Sequence, residues 1–542
     1  SEFFHYSTCP VCHGTRLRPE LLQQTAGELN IAEVTELSLH ELPTWKKQVL
    51  ATLPSEMTKM AQAIFTEFDD DLRPLLELGL DYLTLARNGN SLSTGELQRI
   101  QLARTLRTET TGVLYVLDEP SIGLHPDNIQ GLLNVFKQLV AQGNSLVVVD
   151  HNVDIIKAAD HIIEIGPGSG KQGGHILATG TPKELAANKD SLIGPYLSGK
   201  AKLNARKVCP LTTKKMTLAI SDHYNLHDVK VELPLKRLTA VTGFSGAGKT
   251  SLILDSLVPA IKAKAKGEVL PAQVSELESP IKDVVSVDAS PVGKSTRSTT
   301  ATYTSIMDNL RKLFATVPLA KERHYTPSYF SYNNKQGACP ECGGTGMVTL
   351  DIQYLPDMEQ TCPVCMGKRY RPEIQEVKWR GYSIVDILAL DVAQALTVFK
   401  DEPKILRELE LLREVGLDYL HLGESTPSLS GGEAQRLKLV KHLDHKQETT
   451  LFVFDEPTIG LHPLDVKVLL KVMQKLIDQG ATIITITHDL NLIANADNIL
   501  DLGPRGGKHG GKIVFSGTLS KLQKHPTSLT AKALADYLMR FK

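Results

Sequence analysis

The chain contains itself twice, and that duplication restricts what it can fold into more than any other property. GLDYLTL at 79–85 returns as GLDYLHL at 416–422, LSTGELQRIQL at 92–102 as LSGGEAQRLKL at 429–439, and LDEPSIGLHP at 117–126 as FDEPTIGLHP at 454–463. His151 matches His488, and GPGSGKQGGHILATG at 166–180 matches GPRGGKHGGKIVFSG at 503–517. Every pair keeps one offset of 337 residues. Self-similarity this long at a fixed spacing is a duplicated domain, and each copy must build the same kind of core. Upstream the offset becomes 353: CPVCHGTRLRPE at 9–20 matches CPVCMGKRYRPE at 362–373, so the first copy carries 16 extra residues around 40–70.

The second copy holds one segment with no counterpart in the first. LTAVTGFSGAGKTSLIL at 238–254 is a β-rich run, then G-x-x-x-x-G-K-T, then an apolar helix. That context marks a phosphate loop: Gly243, Gly246 and Gly248 let the backbone wrap a polyphosphate together with Ser245 and Ser251. Lys249 reaches the β- and γ-phosphates and Thr250 offers a hydroxyl to Mg²⁺. LFVFDEP at 451–457 reads as a buried strand ending in two carboxylates, Asp455 for Mg²⁺ and Glu456 to orient or deprotonate an attacking water. Asp118 and Glu119 are the first-copy equivalents. LSTGE and LSGGE each head an apolar-periodic helix, so Ser93 with Gly95, and Ser430 with Gly431 and Gly432, offer an anion site to the γ-phosphate side of a nucleotide held by another domain. His151 and His488 follow apolar strand runs and can contact the same phosphate.

Phosphate loop, signature, DEP strand and switch histidine in this order resemble ATP-binding-cassette ATPases. GLDYL, IGLHP, the GPGSGKQGG stretch and the embedded Cys pairs resemble the UvrA family, the damage-sensing component of the bacterial excinuclease. The resemblance covers essentially the whole chain. It implies an α/β protein with two cassette-type nucleotide-binding domains, helical signature subdomains and an inserted zinc module. It also implies head-to-tail sharing of nucleotide, with one composite site: Gly243–Thr250, Asp455, Glu456 and His488 of the second copy closed by Ser93–Glu96 of the first. Glu456, His488 and Lys249 are then the catalytic residues of an ATPase. Asp118, Glu119, His151 and Ser430–Glu433 make a mirror site that lacks a phosphate loop within the chain. Two departures stand out: Thr94 where the family usually has Gly, and Ala289 in VDASPVGKSTRSTTATY where the family normally has a Gln.

Cys339, Cys342, Cys362 and Cys365 form C-x₂-C-x₁₉-C-x₂-C, a spacing suited to structural Zn²⁺. Cys9 and Cys12 are half of such a site, with their expected partners before residue 1; His5 or His13 is the alternative. Six of the seven cysteines lie in such pairs and Cys209 stands alone, which reads as metal binding in a reducing compartment, the cytoplasm. Basic residues gather at Lys294, Arg297, Arg311 and Lys312, and again at Lys368, Arg369 and Arg371 beside the finger. The bland account is a solvated surface; the resemblance makes them phosphate contacts on duplex DNA. The net charge of −1 excludes a chain held to nucleic acid by bulk charge, and 5% aromatic content disfavours single-strand stacking, so duplex shape is the expected readout.

No run approaches the roughly 18 apolar residues of a membrane helix, so no membrane partner is expected. The expected divisions are 1–78, first signature and half zinc-module region; 79–198, the rest of the first nucleotide-binding domain; 199–215, a polar linker; 216–335, the phosphate-loop part of the second; 336–428, zinc module and signature subdomain; and 429–542, signature to C-terminus. With no initiator Met, a cut segment of a longer chain is expected. The function implied is an ATP-driven recognition protein of nucleotide excision repair, as a homodimer, meeting the helicase component of the excinuclease (UvrB) through a region absent here. A UvrA-like ATPase that strips intercalating drugs from DNA and a non-enzymatic zinc and DNA-binding scaffold remain the alternatives.

Overall fold

The computed structural model describes residues 9–541 apart from 93, 107–109, 125, 169–172, 202–205, 289, 291, 294, 296, 351–357, 508–509 and 526–527. The described part of the first copy contributes helices α1 (Ser55–Glu77) and α2 (Thr94–Leu106) and strands β1 (Leu114–Asp118), β2 (Ser145–Val149), β3 (Ile162–Gly166) and β4 (His175–Gly180). The second supplies β5 (Lys215–His223), β6 (Leu226–Pro234), β7 (Leu238–Gly243), β8 (Val274–Glu278) and β9 (Asp283–Val287). A hairpin, β10 (Met347–Leu350) and β11 (Met358–Thr361), then leads to α3 (Pro403–Glu414) and α4 (Gly431–Val440). Strands β12 (Thr450–Asp455), β13 (Thr482–Ile486), β14 (Asn498–Gly503) and β15 (Lys512–Gly517) close the copy.

In the second copy these strands make one six-stranded sheet in the order β9-β12-β13-β7-β14-β15, parallel except for the last pair. Its inner strands are near-continuous apolar runs because both faces are covered. Phe452, Phe454 and Leu238 point into a core shared with the helical subdomain, while Val453, Ile484 and Val241 pack on the other face, against β5 and β6. The fold is the expected α/β one, with a cassette-type sheet and a helical subdomain ending at the signature helix.

The first copy shows how far that sheet depends on its middle strand. Among the described residues its strands form two separate pairs, parallel β1/β2 and antiparallel β3/β4. In the second copy β7 sits between β13 and β14; no described strand joins β2 to β3. LYVLD and SLVVV are as apolar as their counterparts, yet Leu114, Val116, Val147, Val149, Ile163 and Ile165 are exposed. Apolar strand sequence buries itself only where a second layer exists to cover it. The extra first-copy residues lengthen α1, which runs 23 residues against 12 for α3.

The expected linker is less free than its composition implies. Arg206 is buried, its guanidinium donating to Gln474 Oε1 (2.8 Å), the Asn495 carbonyl (2.7 Å) and Asp497 Oδ2 (2.9 Å). The Cys209 and Leu238 amides donate to the same carboxylate. This ties the joint to β7. Removing one partner of a buried ion pair leaves the other uncompensated, so Arg206→Ala is expected to cost about 3–5 kcal/mol. A urea midpoint unchanged from the parent would show the joint to be a passive tether. Among the described residues no helix is long and apolar enough to cross a membrane.

Candidate nucleotide site

The phosphate loop leaves β7 at Gly243, whose φ of 129° and close approach to β14 leave no room for a side chain: a Cβ there would lie 1.9 Å from the Leu502 carbonyl oxygen. The chain turns through Ser245, Gly246 and Gly248 and enters a helix at Lys249, with Thr250 exposed and Ser251 following it. Asn225 braces the turn, its side-chain amide donating to the Gly246 and Gly507 carbonyls at 3.1 Å each. Lys249 is buried, and its Nζ donates to the Gly243 (3.0 Å) and Phe244 (2.9 Å) carbonyls. Burial draws the Lys249 ammonium down to about 8, against the pull of Glu456, Asp501 and Asp455. Its charge is therefore costly in this setting, held by the two loop carbonyls and offset only in part by the nearby carboxylates.

Those carboxylates arrive from the end of β12. Burial pushes Glu456 up to about 8, with Lys249 opposing and Asp455 adding to the rise. Burial likewise raises Asp455. A carboxyl titrating near neutrality is suited to accepting a proton from water. Glu456 has φ +44°, and Glu119, its first-copy equivalent, φ +47°; neither is glycine, so both store backbone strain at the end of their strands. His488 Nε2 stands 3.7 Å from Glu456 Oε1, and His151 Nε2 3.5 Å from Glu119 Oε1, so the Glu–His pairing is repeated in both copies.

The signature of the first copy reaches the phosphate loop of the second. Glu96, in the first turn of α2, accepts a hydrogen bond from the Tyr82 hydroxyl, which in turn accepts one from the Ser245 hydroxyl at 3.1 Å. Gly95 packs on the first copy's own DEP loop, where a Cβ would meet the Ile122 carbonyl oxygen at 2.8 Å; Gly432 packs likewise on Leu461. Ser430 caps α4 in a reciprocal box with Glu433, and Gly431 and Gly432 open that helix. Asp118 lies exposed at the end of β1 with no described phosphate loop beside it. Glu119 and His151 of the first copy also meet the IGLHP loop of the second: Glu119 Oε1 lies 3.2 Å from where a Cβ on Gly460 would stand, and the His151 and His462 rings are 6.4 Å apart. A cavity of about 180 Å³ opens between the copies, lined among others by Glu119, His151, Glu456, Gly460 and His488. Ser93, Ala289 and Lys294 lie outside the described residues. The motifs did not assign Tyr82, although its GLDYL segment is repeated in both copies and was a usable signal.

The four paired cysteines converge. Cys339 and Cys362 sulfurs are 3.9 Å apart, Cys342 and Cys365 3.7 Å, and all four lie within 4.8 Å of one another. A tetrahedron with arms of about 2.3 Å has edges of about 3.8 Å, so the set fits a zinc-sized metal. Gly346 N–H donates to Cys342 Sγ at 3.3 Å. Among the described residues this is the only such cluster; Cys9 is exposed and Cys12 lies apart from it. The two basic groups meet beside this module. Arg297 is exposed, with Nη2 3.3 Å from where a Cβ on Gly343 would stand, and Lys368 is exposed on the second knuckle. Arg369 lies over the Tyr332 ring at 5.3 Å, and Arg311 pairs with Asp308. Those two and Arg371 have partners within the protein, whereas Arg297, Lys312 and Lys368 are exposed.

Comparison with known proteins agrees with this architecture. The ABC transporter family profile matches residues 226–459. The UvrABC system protein A of Bradyrhizobium diazoefficiens is 42% identical over 546 residues, covering 100% of this chain and 55% of its own length. That of Thermus thermophilus is 43% identical over 543 residues, covering 99% and 56%. The crystal structure of UvrA2 from Deinococcus radiodurans superposes with a TM-score of 0.87 at 40% identity, over 98% of this chain and 66% of that one. The chain thus spans a little over half the length of the curated relatives it matches. With that identity sustained along its whole length, the chain belongs to the UvrA family of ATP-binding-cassette proteins.

Proposed function

We propose that the chain binds and hydrolyses ATP at a composite site shared by its two copies, and uses that cycle to accept or release damaged duplex DNA in nucleotide excision repair. The observation that carries this reading is the Ser245–Tyr82–Glu96 bridge, which puts a phosphate loop and a signature helix from different copies within one hydrogen-bond chain. The loop amides and Lys249 take the β- and γ-phosphates, and the N-terminus of α2 faces the γ-phosphate from the other side. Thr250 and Asp455 would hold Mg²⁺, which when bound neutralises phosphate charge. Glu456 takes the proton of the attacking water as the bond to the ADP oxygen breaks, and His488 steadies that carboxylate and the γ-phosphate. The four thiolates would hold Zn²⁺, which when bound cross-links the module.

Replacing Glu456 by Gln keeps size and removes the base. Hydrolysis is expected to fall by about 10²–10⁴-fold with ATP still bound. Normal turnover in single-turnover assays would remove Glu456 from the mechanism.

Arg297, Lys368 and, from the sequence alone, Lys294 are proposed as DNA phosphate contacts, with Arg311 and Arg369 shaping the surface around Arg297 and Lys368. Duplex affinity is expected to fall linearly on a log–log salt plot, and each lost contact to flatten the slope by about 0.9. A slope unchanged in Arg297→Ala and Lys368→Ala would place the DNA elsewhere. The reading includes a homodimer, the excinuclease helicase component as a partner, and a cytoplasmic setting.

A further inference from the structure

Tyr82 of the first copy is seated on the phosphate-loop turn of the second through both its ring and its hydroxyl. A Cβ on Gly246 would lie 2.6 Å from Tyr82 Cδ2, and one on Gly506 2.9 Å from Tyr82 Cβ, so two glycines form the seat of the ring. The hydroxyl is used in both directions: it accepts from Ser245 and donates to Glu96. Glu96 is itself buried and lies 3.5 Å from the Arg87 guanidinium. Burial and the Glu96 charge push the Tyr82 phenol well above its ordinary value, so it stays a donor. The second copy repeats the inner half of this arrangement. Tyr419 donates to Glu433 at 2.6 Å and accepts from its own Arg436 at 3.4 Å, as Tyr82 has Arg99 beside it. The first copy adds to this arrangement the loop serine of the other copy.

We propose that Tyr82 is a positioning residue of the composite site: its hydroxyl sets the register of the first copy's signature helix on the second copy's phosphate loop. The inference rests on the reading of the chain as an ATPase. The ring seat alone holds the two surfaces together, and the hydroxyl fixes where α2 points along the loop. A helix N-terminus acts on charge only within its first turn, so a small slip forfeits its contribution when the γ-phosphate is transferred to water. Ground-state grip on the nucleotide comes from the loop amides and Lys249, whereas Tyr82 meets the loop at the Ser245 hydroxyl and the face of Gly246.

The test uses the full chain with Tyr82→Phe, which keeps the ring and removes only the bridge, and Tyr82→Ala, which removes both. For Tyr82→Phe, nucleotide affinity is expected within about threefold of the parent while kcat falls by about tenfold. Amide exchange at 245–247 is expected to speed up in the same variant. Unchanged kcat overturns the proposal. So does a loss explained by fewer nucleotide-binding sites per chain or by a matching drop in Tm, since that is a structural role. A kcat restored to the parent level in Tyr82→Phe and lost only in Tyr82→Ala also overturns it, because the ring would then suffice. The exchange measurement does not depend on turnover. Should the parent fail to hydrolyse ATP, the functional reading falls; faster exchange at 245–247 would still support the bridge, and unchanged exchange would overturn it.

Discussion

Lys249→Ala is expected to abolish nucleotide binding, raising Kd by at least about 100-fold, on the order of 3 kcal/mol, as for a lost charge-assisted contact to a phosphate. Keeping the ammonium at this position is itself unfavourable. It is buried, drawn down to about 8, and satisfied by two carbonyls of its own loop. Such a cation gains most when a polyanion arrives, because the phosphates supply the charge its surroundings lack. Removing it leaves Asp455 facing the incoming phosphates with no cation between them, so repulsion adds to the lost attraction. Isothermal titration with a non-hydrolysable ATP analogue is the check. Affinity within about threefold of the parent would mean that nucleotide binds somewhere other than this loop.

Metal removal is expected to have the second large effect. Binding of structural zinc contributes roughly 10–16 kcal/mol in finger peptides, as large as the roughly 5–15 kcal/mol stability of a whole domain. Around the cysteines the module offers little else: the four sulfurs with partly buried Val348 are its apolar cluster. Chelation, or Cys362→Ser, is therefore expected to unfold 338–371, Lys368 with it, and to loosen Arg297 beside it, while the six-stranded sheet remains folded. Elemental analysis is expected to give one zinc per chain. Protection of 338–371 in hydrogen exchange that survives chelation would show that the hairpin folds without metal.

Much of this site was legible in the amino acids because its chemistry needs fixed residue types at fixed spacing. Lys249 lies among the carboxylates of the second DEP strand, and the four cysteines converge on one another. What could not be read depends on partners distant in the chain. LYVLD and LFVFD are equally apolar in pattern, yet one is half exposed and the other buried, because burial is decided by the layer that covers the second face of the strand. Arg206 sits in a stretch composed like a tether and is locked by Asp497, nearly three hundred residues on. Arg369 and Arg311 looked like free surface charge, and each is engaged by a residue of the protein itself. Tyr82 was visible as part of a repeat, but its role is carried by a contact to the other copy, which no single-copy pattern reveals.

The left-handed backbone at Glu456 and Glu119 bears on how such a chain can be improved. Each conformation of this kind costs about 1–3 kcal/mol for a residue with a Cβ. A selection for thermal robustness alone would reward Gly or Asn at these two places. The sturdier protein so obtained would have lost the proposed general base, Glu456, and its gain in melting temperature would measure what the parent gives up to hold that carboxylate in place.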